Sequence, residues 1–467
     1  MLNHFPTQSV NFDSRLLTKY DRPLPRYTSY PPATELTPEF DEVNFRAALA
    51  VGNYRKIPLS LYCHIPFCET ACYFCGCNTI ITKQKKIADP YLDYLMRDIE
   101  RIASLVDKNR RVDQLHWGGG TPNYLSLEQI DRLWNSLTDH FSLAEDAEIS
   151  IEVNPRYLDK EYVRFLRQTG FNRISFGIQD FDERVQTAIN RVQPESLLFN
   201  VMDWIRGETF ESVNVDLIYG LPHQNLATFR ETVRKTIDLD PDRIAVFNFA
   251  YIPGLKPAQK NLDVNAFPSP SEKLAILQMT IEELTNNGYV YIGMDHFAKP
   301  NDELAIAQRE GELHRNFQGY TTKPESDLIG FGVTSISMLD DVYIQNQKGL
   351  KDYYRSIEDG KLPIERGVSL TGDDRVRRAA IMELMCQFRL SKQALLEKYH
   401  LAFDSDFEEY FATEIPELRA LEADGLLDIV PDGIEVTPAG RLLIRNIAAV
   451  FDAYRERRQT ATFSRSI

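Results

Sequence analysis

Long apolar runs are missing from this 467-residue chain: nowhere do about 18 apolar residues follow one another, and Met1 to Tyr20 shows no apolar stretch behind a basic flank. No membrane span and no export signal are therefore expected, and a cytoplasmic location with them. Positive charge is scarce too. The 53 Lys and Arg against 68 Asp and Glu leave a net charge of -15, with a pI near 5.2. A general affinity for nucleic acid or anionic membrane is excluded, because phosphate backbones demand clustered cations, so any anionic substrate must meet a local basic pocket. Cysteine is equally sparse. Of six, Cys68, Cys72, Cys75 and Cys77 crowd into ten residues, Cys63 lies just before them and Cys386 stands alone. That is no disulfide framework, and in a large chain without an export signal clustered cysteines point to metal or redox chemistry. Internal repeats and low-complexity tracts are also absent.

What remains has the composition of a soluble globular protein, 43% hydrophobic, 26% charged and 11% aromatic, large enough for one big domain and a satellite or for two or three ordinary domains. The first ~50 residues are Pro-rich and weakly periodic, and read as an extended arm carrying Arg22, Arg26, Tyr27 and Tyr30. From Leu59 to about Met338, β-rich runs alternate with stretches of helical period, the signature of a parallel sheet of βα units. The expected strands are Leu59 to Ile65, Gln114 to Trp117, Glu148 to Val153, Arg173 to Ile178, Ser212 to Ile218 and Arg243 to Phe249. Six such strands make an α/β fold, a partial (β/α)6 TIM-like barrel. Beyond Leu370 the pattern turns helical, then Leu426 to Val430 and Ile434 to Thr437 form a hairpin before a helix from Ala439 to Tyr454. That end is expected to be a mainly helical, winged-helix-like C-terminal domain, and the acidic net charge favours a structural cap over a DNA reader. The expected organisation is an arm over 1–50, a catalytic barrel with its extension over 51–365, and the helical domain over 366–467.

Cys68, Cys72 and Cys75 follow directly from the first strand, in the spacing C-x3-C-x2-C. Three thiolates on one loop can hold three irons of a cubane and leave the fourth open to a small molecule, whereas ordinary four-iron clusters use four thiolates. A zinc site on Cys68, Cys72, Cys75 and Cys77 is the alternative, but zinc motifs normally join two separated pairs. Cys63 and Cys386 read as small core residues, and Cys77 as a fourth ligand, a redox or proton participant, or a pocket thiol. Gly118-Gly119-Gly120-Thr121-Pro122 ends the second strand, where barrels place their sites and where missing side chains admit a ligand to the backbone. Glu152, Gln179 with Asp180, Arg191 and Asp216 stand at successive strand ends as a polar rim. Glu152 sits in an apolar run, so an amine or hydroxyl partner is expected for its carboxylate.

With Phe74 before the last cysteine, the cluster motif resembles the radical S-adenosylmethionine superfamily. Arg26-Tyr27-Thr28-Ser29-Tyr30-Pro31, His116-Trp117-Gly118-Gly119-Gly120-Thr121-Pro122, Gly293-Met294-Asp295-His296-Phe297 and His314-Arg315-Asn316-Phe317-Gln318-Gly319-Tyr320, with the extra Cys77, resemble the oxygen-independent coproporphyrinogen III oxidases of bacterial haem synthesis, and the likeness spans nearly the whole chain. The resemblance implies a [4Fe–4S] cluster on Cys68, Cys72 and Cys75 and two S-adenosylmethionine molecules. Tyr62, Gly119, Glu152 and Ile336 match positions binding the first, and Phe74, Gly120, Thr121, Gln179, Arg191, Asp216 and Ala250 those around the second.

The implied reaction is oxidative decarboxylation of two propionates of coproporphyrinogen III to vinyl groups, giving protoporphyrinogen IX. A substrate with four propionates needs cations. Arg22, Arg26, His296, Arg309 and Arg315 are candidates, with Tyr27, Tyr30, Phe317 and Tyr320 able to enclose the pyrroles and His64 beside the cluster loop. A low-potential donor such as flavodoxin or ferredoxin is the expected electron source, and a monomer is expected because no apolar stripe advertises an interface. A related haem-binding chaperone is the competing reading; such relatives usually carry an aromatic residue at the position of Cys77 and lack the arm.

Overall fold

The computed structural model describes residues 10–323, 326–399, 407–455, 463 and 465. Packing divides the chain into two compact units, one made of Leu36–Glu283 and Glu325–Ser369, the other of Met1–Glu35, Leu284–Pro324 and Leu370–Ile467.

The larger unit is built on a sheet whose strands are β1 (Leu59–Ile65), β2 (Arg111–Gly119), β3 (Ser142–Val153), β4 (Arg173–Gln179), β5 (Ser212–Tyr219) and β6 (Arg243–Asn248), each parallel to the one before it. Between them run α1 (Ala88–Ala103), α2 (Leu127–His140), α3 (Lys160–Thr169), α4 (Glu195–Gly207) and α5 (Leu226–Asp238). This is the expected partial (β/α)6 barrel. Local chemistry sets the helix starts: Ser126 and Gln129 form a capping box, and Asp159 and Asn225 accept from the first free amides of α3 and α5. Leu92, Leu95 and Ile99, then Ile130, Leu133 and Leu137, form the buried faces of α1 and α2.

The strands alternate. Leu115 and Trp117 on β2, Ile151 and Val153 on β3, and Val213, Val215, Leu217 and Tyr219 on β5 are buried. With a period of two, His116, Ser150, Glu152, Asn214 and Asp216 then share the opposite face. This alternation gathers the polar groups of the site.

β1 carries a second parallel partner that sequence periodicity did not show. β7 (Asp327–Phe331) lies beside it in register Leu59 to Asp327 through Cys63 to Phe331, and β8 (Ile336–Leu339), β9 (Val342–Asn346) and β10 (Ile364–Ser369) extend the sheet antiparallel from there. A buried ion pair between Arg110 and Asp327 fixes the start of β7; Arg110 also donates to the Ile57 carbonyl at 2.6 Å and to Asn53 Oδ1 at 3.1 Å.

In the smaller unit, helix Gly372–Gln387 accompanies a three-stranded sheet in the order Arg389–Ser391, Gly433–Val436, Leu427–Val430, a helix-and-hairpin wing as expected. The single helix expected over Ala439 to Tyr454 is instead broken into 3-10 turns Gly440–Leu443 and Ala449–Phe451 around helix Ile444–Ala448. Tertiary contacts override propensity there. A Cβ at Gly440 would lie 1.9 Å from the Leu426 carbonyl, and buried Arg445 and Asn446 reach the Pro25 and Tyr20 carbonyls at 3.0 and 2.8 Å. The arm is not wholly extended either. Asp13 caps helix Ser14–Tyr20, and a further helix, Glu42–Arg55, leaves Val43, Val51 and Tyr54 exposed, which explains its weak periodicity.

Candidate active site

The chain leaves β1 through Phe67–Cys68, which pairs in parallel with Ile80–Ile81 and closes a loop holding the four clustered cysteines. Donors surround three of the sulfurs. Thr121 Oγ1 lies 3.2 Å from Cys68 Sγ, and Arg191 Nη1 and Arg156 Nη2 approach Cys72 Sγ at 3.7 and 3.9 Å. The Cys77 N–H donates to Cys75 Sγ at 3.4 Å. Among the described residues no three His, Cys, Asp or Glu side chains stand close enough to hold a single metal ion. A cubane puts each iron at a separate corner, and N–H and O–H groups aimed at its thiolates are what such clusters need. The donor set fits the cluster.

The glycine segment makes the space beside that loop. Gly119 has φ +114°, and a Cβ on it would sit 2.6 Å from the His64 ring; one on Gly120 would meet the Phe67 carbonyl and Pro66 backbone at 2.9 Å. The Gly119 N–H donates to Glu152 Oε2 at 3.1 Å, and His116 Nε2 lies 3.5 Å from the same carboxylate. Glu152 is not buried as its apolar neighbours suggest: its side chain is 48% exposed, looking into the open polar face of the sheet. Its crowded surroundings push its pKa up, but His116 and the Gly119 N–H prevail and hold it below the usual carboxylate range. Tyr62 stacks on His116 with ring centres 5.8 Å apart, and its hydroxyl lies 3.0 Å from His64 Nδ1. His64 is buried, which pushes its pKa down and favours the neutral ring.

Gln179 ends β4 with φ +68°, and its buried Oε1 has no hydrogen-bond partner among the described residues. Such an orphan is a place for a ligand donor. Arg191 is anchored by the Gly177 carbonyl at 3.0 Å and Gln193 Oε1 at 3.2 Å. Asp216 accepts from Asn214 at 2.9 Å, and burial, then the nearby Glu152 charge, push its pKa up to about 7. Phe74 packs on Val185, Ile189, Leu221, Phe249 and Leu262. Gln259 Nε2 ties the Ala250 carbonyl, at 3.1 Å, to the Phe74 carbonyl, at 3.5 Å, while Lys256 reaches the Cys77 carbonyl at 3.2 Å. Ile336 opens β8; its carbonyl would lie 2.8 Å from a Cβ on Gly330, the β7 partner of Tyr62.

One rim residue faces elsewhere. Asp180 is fully buried and saturated by Thr232 Oγ1 and Gln224 Nε2, both at 2.6 Å, and by the Asp182 N–H at 2.8 Å. It braces α5 and not the site. His116, Ser150, Arg156, Gln259 and Lys256 were not assigned from sequence. His116 and Ser150, whose Nδ1 and Oγ lie 2.5 Å apart, could have been found by alternation with Glu152; Arg156, Gln259 and Lys256 carry no local signal.

In the smaller unit, three of the cationic candidates gather around Tyr320. Arg315 lies 4.6 Å over its ring, His296 is 5.3 Å from it edge to face, and Arg26, whose positive charge Tyr320 also feels, pairs with Asp295. Arg22 is elsewhere, 3.4 Å from Glu417, and Arg309 is exposed on the last turn of helix Glu303–Glu310. Tyr27 and Tyr30 are core residues here, bonded to Asp452 and to the Ala453 N–H at 2.9 and 3.0 Å.

A family model described as the Radical SAM superfamily matches residues 62–236, and one described as the HemN C-terminal domain matches 370–443. The chain is 65% identical over 468 residues to the oxygen-independent coproporphyrinogen III oxidase of Synechocystis sp., covering 100% of both chains. This chain belongs to the oxygen-independent coproporphyrinogen III oxidase family. It is also 50% identical over 461 residues to the Escherichia coli (strain K12) oxidase, with 98% of this chain and 99% of that one covered. A solved structure described as coproporphyrinogen III oxidase (HemN) from Escherichia coli, a radical SAM enzyme, superposes with a TM-score of 0.91 at 48% identity, covering 96% of this chain and 100% of the other. Membership of the radical SAM coproporphyrinogen III oxidases implies a [4Fe–4S] cluster and S-adenosylmethionine. No helix among the described residues is long and apolar enough to cross a membrane.

Proposed function

We infer that this chain is an oxygen-independent coproporphyrinogen III dehydrogenase that converts two propionates of coproporphyrinogen III to vinyl groups, each with loss of CO₂, one hydrogen atom and one electron, giving protoporphyrinogen IX in haem biosynthesis. The observation that carries it is agreement over the entire chain with oxidases of that name, joined to three thiols with donors at their sulfurs beside a glycine cradle. Cys68, Cys72 and Cys75 hold the cluster in this reading. Bound there, the cluster and S-adenosylmethionine supply reductive cleavage to a 5′-deoxyadenosyl radical.

The protein binds, orients and excludes water. The Gly119 N–H and His116 fix the Glu152 carboxylate, leaving its exposed side to accept from the amine of the first S-adenosylmethionine, with Tyr62 and Ile336 closing around it. We place a second molecule against Phe74, Gly120, Thr121, Gln179, Arg191, Asp216 and Ala250, where the unpartnered Gln179 Oε1 accepts a ligand donor. Arg26, His296 and Arg315 are the propionate-facing cations of this proposal, with Arg22 and Arg309 outside their cluster. Cys77 serves as a pocket thiol beside the cluster, and His64 positions Tyr62. The proposed arrangement has an arm over 1–50, a catalytic part over 51–365 and a C-terminal domain over 366–467, and works as a cytoplasmic monomer supplied by a low-potential carrier.

Anaerobic incubation of the reconstituted protein with coproporphyrinogen III, S-adenosylmethionine and dithionite tests the activity: CO₂ and, after oxidation, protoporphyrin are expected, and their absence from iron-replete protein rejects it. Equilibrium dialysis tests the second molecule, with saturation at one S-adenosylmethionine per chain ruling it out.

A further inference from the structure

We propose that the exposed run Lys83, Lys85 and Lys86, with Ile81 beside it, is the docking surface for an acidic protein that carries single electrons to the cluster. The proposal rests on the reading of Cys68, Cys72 and Cys75 as cluster ligands. A chain of net charge -15 repels an acidic protein as a whole, so such a partner needs a local cationic face. Three exposed lysines stand within four residues, and the two of them without an ion pair, Lys83 and Lys86, supply one.

The lysines differ in their engagements. Lys85 is pinned: its Nζ pairs with Glu69 at 2.6 Å, donates to the Tyr124 carbonyl at 2.8 Å and stands 4.1 Å over the Tyr124 ring. Lys83 and Lys86 form no ion pair among the described residues. Of the carboxylates close by in sequence, Glu69 pairs with Lys85, and Asp89 and Asp93 share Arg132 at 3.8 and 2.7 Å, so the surround keeps a positive balance carried by Lys83 and Lys86. Exposed lysines outside ion pairs leave a field that an acidic partner can use, and Ile81, 46% exposed at the edge of the run, adds apolar contact within a charged surround.

Position makes the patch more than a solvated turn. Ile81 is in register with Cys68, the Thr82 N–H donates to the Cys68 carbonyl at 2.9 Å, and the Ile80 N–H donates to the Pro66 carbonyl at 2.7 Å. An electron delivered at Lys83 thus meets a backbone hydrogen-bonded to a cluster ligand. One electron leaves the carrier, which is oxidised by that amount while the cluster is reduced by it, and no bond or proton moves.

Binding of a bacterial flavodoxin and of a plant-type ferredoxin to the full-length reconstituted protein tests this, by titration at about 0.01 M and about 0.15 M ionic strength. Lys83→Glu and Lys86→Glu are made singly and together. Lys108→Glu, in the turn leading into β2 at the opposite end of the sheet, carries the same charge change as either single variant. The double variant is expected to lose about tenfold or more in affinity at low salt and less at high salt, with Lys108→Glu within about twofold of wild type. Dithionite-driven turnover should be unchanged in all of them. Wild-type affinity in the double variant, equal losses in Lys108→Glu, or no binding of either carrier to wild type would overturn the proposal. Loss of dithionite-driven turnover already in wild type falls on the functional reading instead, because carrier binding is measured separately.

Discussion

Thr121 Oγ1 stands 3.2 Å from Cys68 Sγ, so the residue that follows the three glycines also touches the first of the four clustered thiols. Hydrogen bonds to cluster sulfurs raise reduction potential. Thr121→Val keeps the shape and removes the donor. Iron content should be retained while the cluster becomes harder to reduce by about 1 kcal/mol, the worth of a typical hydrogen bond. Redox titration followed by electron paramagnetic resonance measures this; an unmoved midpoint would show that the contact has no electronic role.

The ligand assignment separates the cysteines sharply. Cys75→Ser should strip anaerobically reconstituted protein of most of its iron, from about four atoms per chain. Cys63→Ser and Cys77→Ser should keep it, Cys63 because it is buried in β1 and Cys77 because the fourth iron is left for the cofactor. Iron lost from Cys77→Ser as fully as from Cys75→Ser would make Cys77 a ligand and close the open iron.

Gly119 tolerates no side chain. A Cβ meets the His64 ring at 2.6 Å, and φ +114° is strained for an L-residue by roughly 1–2 kcal/mol. Gly119→Ala should weaken S-adenosylmethionine binding by about tenfold or more, since each 1.4 kcal/mol is a factor of about ten. Dialysis against labelled S-adenosylmethionine reads the change, with the cluster absorbance as a check that the fold survives.

Asp98 supplies a pH dependence of stability. It is buried on α1, accepts from Tyr353 Oη at 2.8 Å, and burial pushes its pKa up to about 6. The folded chain therefore holds a proton that the unfolded chain releases near pH ~4. This contribution is complete below about pH 4 and is lost as pH rises through about 6, because the native state binds more protons. Asp98→Asn keeps an acceptor for Tyr353 and removes the cost of ionisation. The variant should match wild type at about pH 4 and exceed it by an order of 2 kcal/mol at neutral pH in urea melts. A gap that does not change with pH would show that Asp98 does not titrate there.

The parts legible in the sequence are those whose signal is local. β1 to β6 announce themselves through alternation, and the cysteine loop through spacing, because both lie within a few residues of chain. β7 does not. Asp327–Phe331 is short, buried throughout and lacks a helix of its own, and its parallel place in the sheet is set by β1, some 260 residues earlier. Gln179 and Asp180 show the same limit within the site. Adjacent and both polar, they diverge because the backbone turns at φ +68°, leaving one with an open carbonyl oxygen and the other saturated beneath a helix. Arg156 approaches Cys72 from the turn Pro155–Tyr157 that follows β3, a convergence that no pattern of neighbours encodes. The broken helix near the C-terminus is a further case, in which buried Arg445 and Asn446 outweigh a good helical pattern.

Asp327–Phe331 comes late in the chain but is a neighbour of the strand that leads into the cysteine loop. A chain ending at residue 300 would contain Cys68, Cys72 and Cys75, yet it would lack both the β7 neighbour of β1 and the Asp327 carboxylate that pairs with Arg110. The footing of the cysteine loop thus depends on chain that follows it by some 250 residues, so a truncation ahead of Asp327 is expected to loosen that loop even though it removes none of the clustered cysteines.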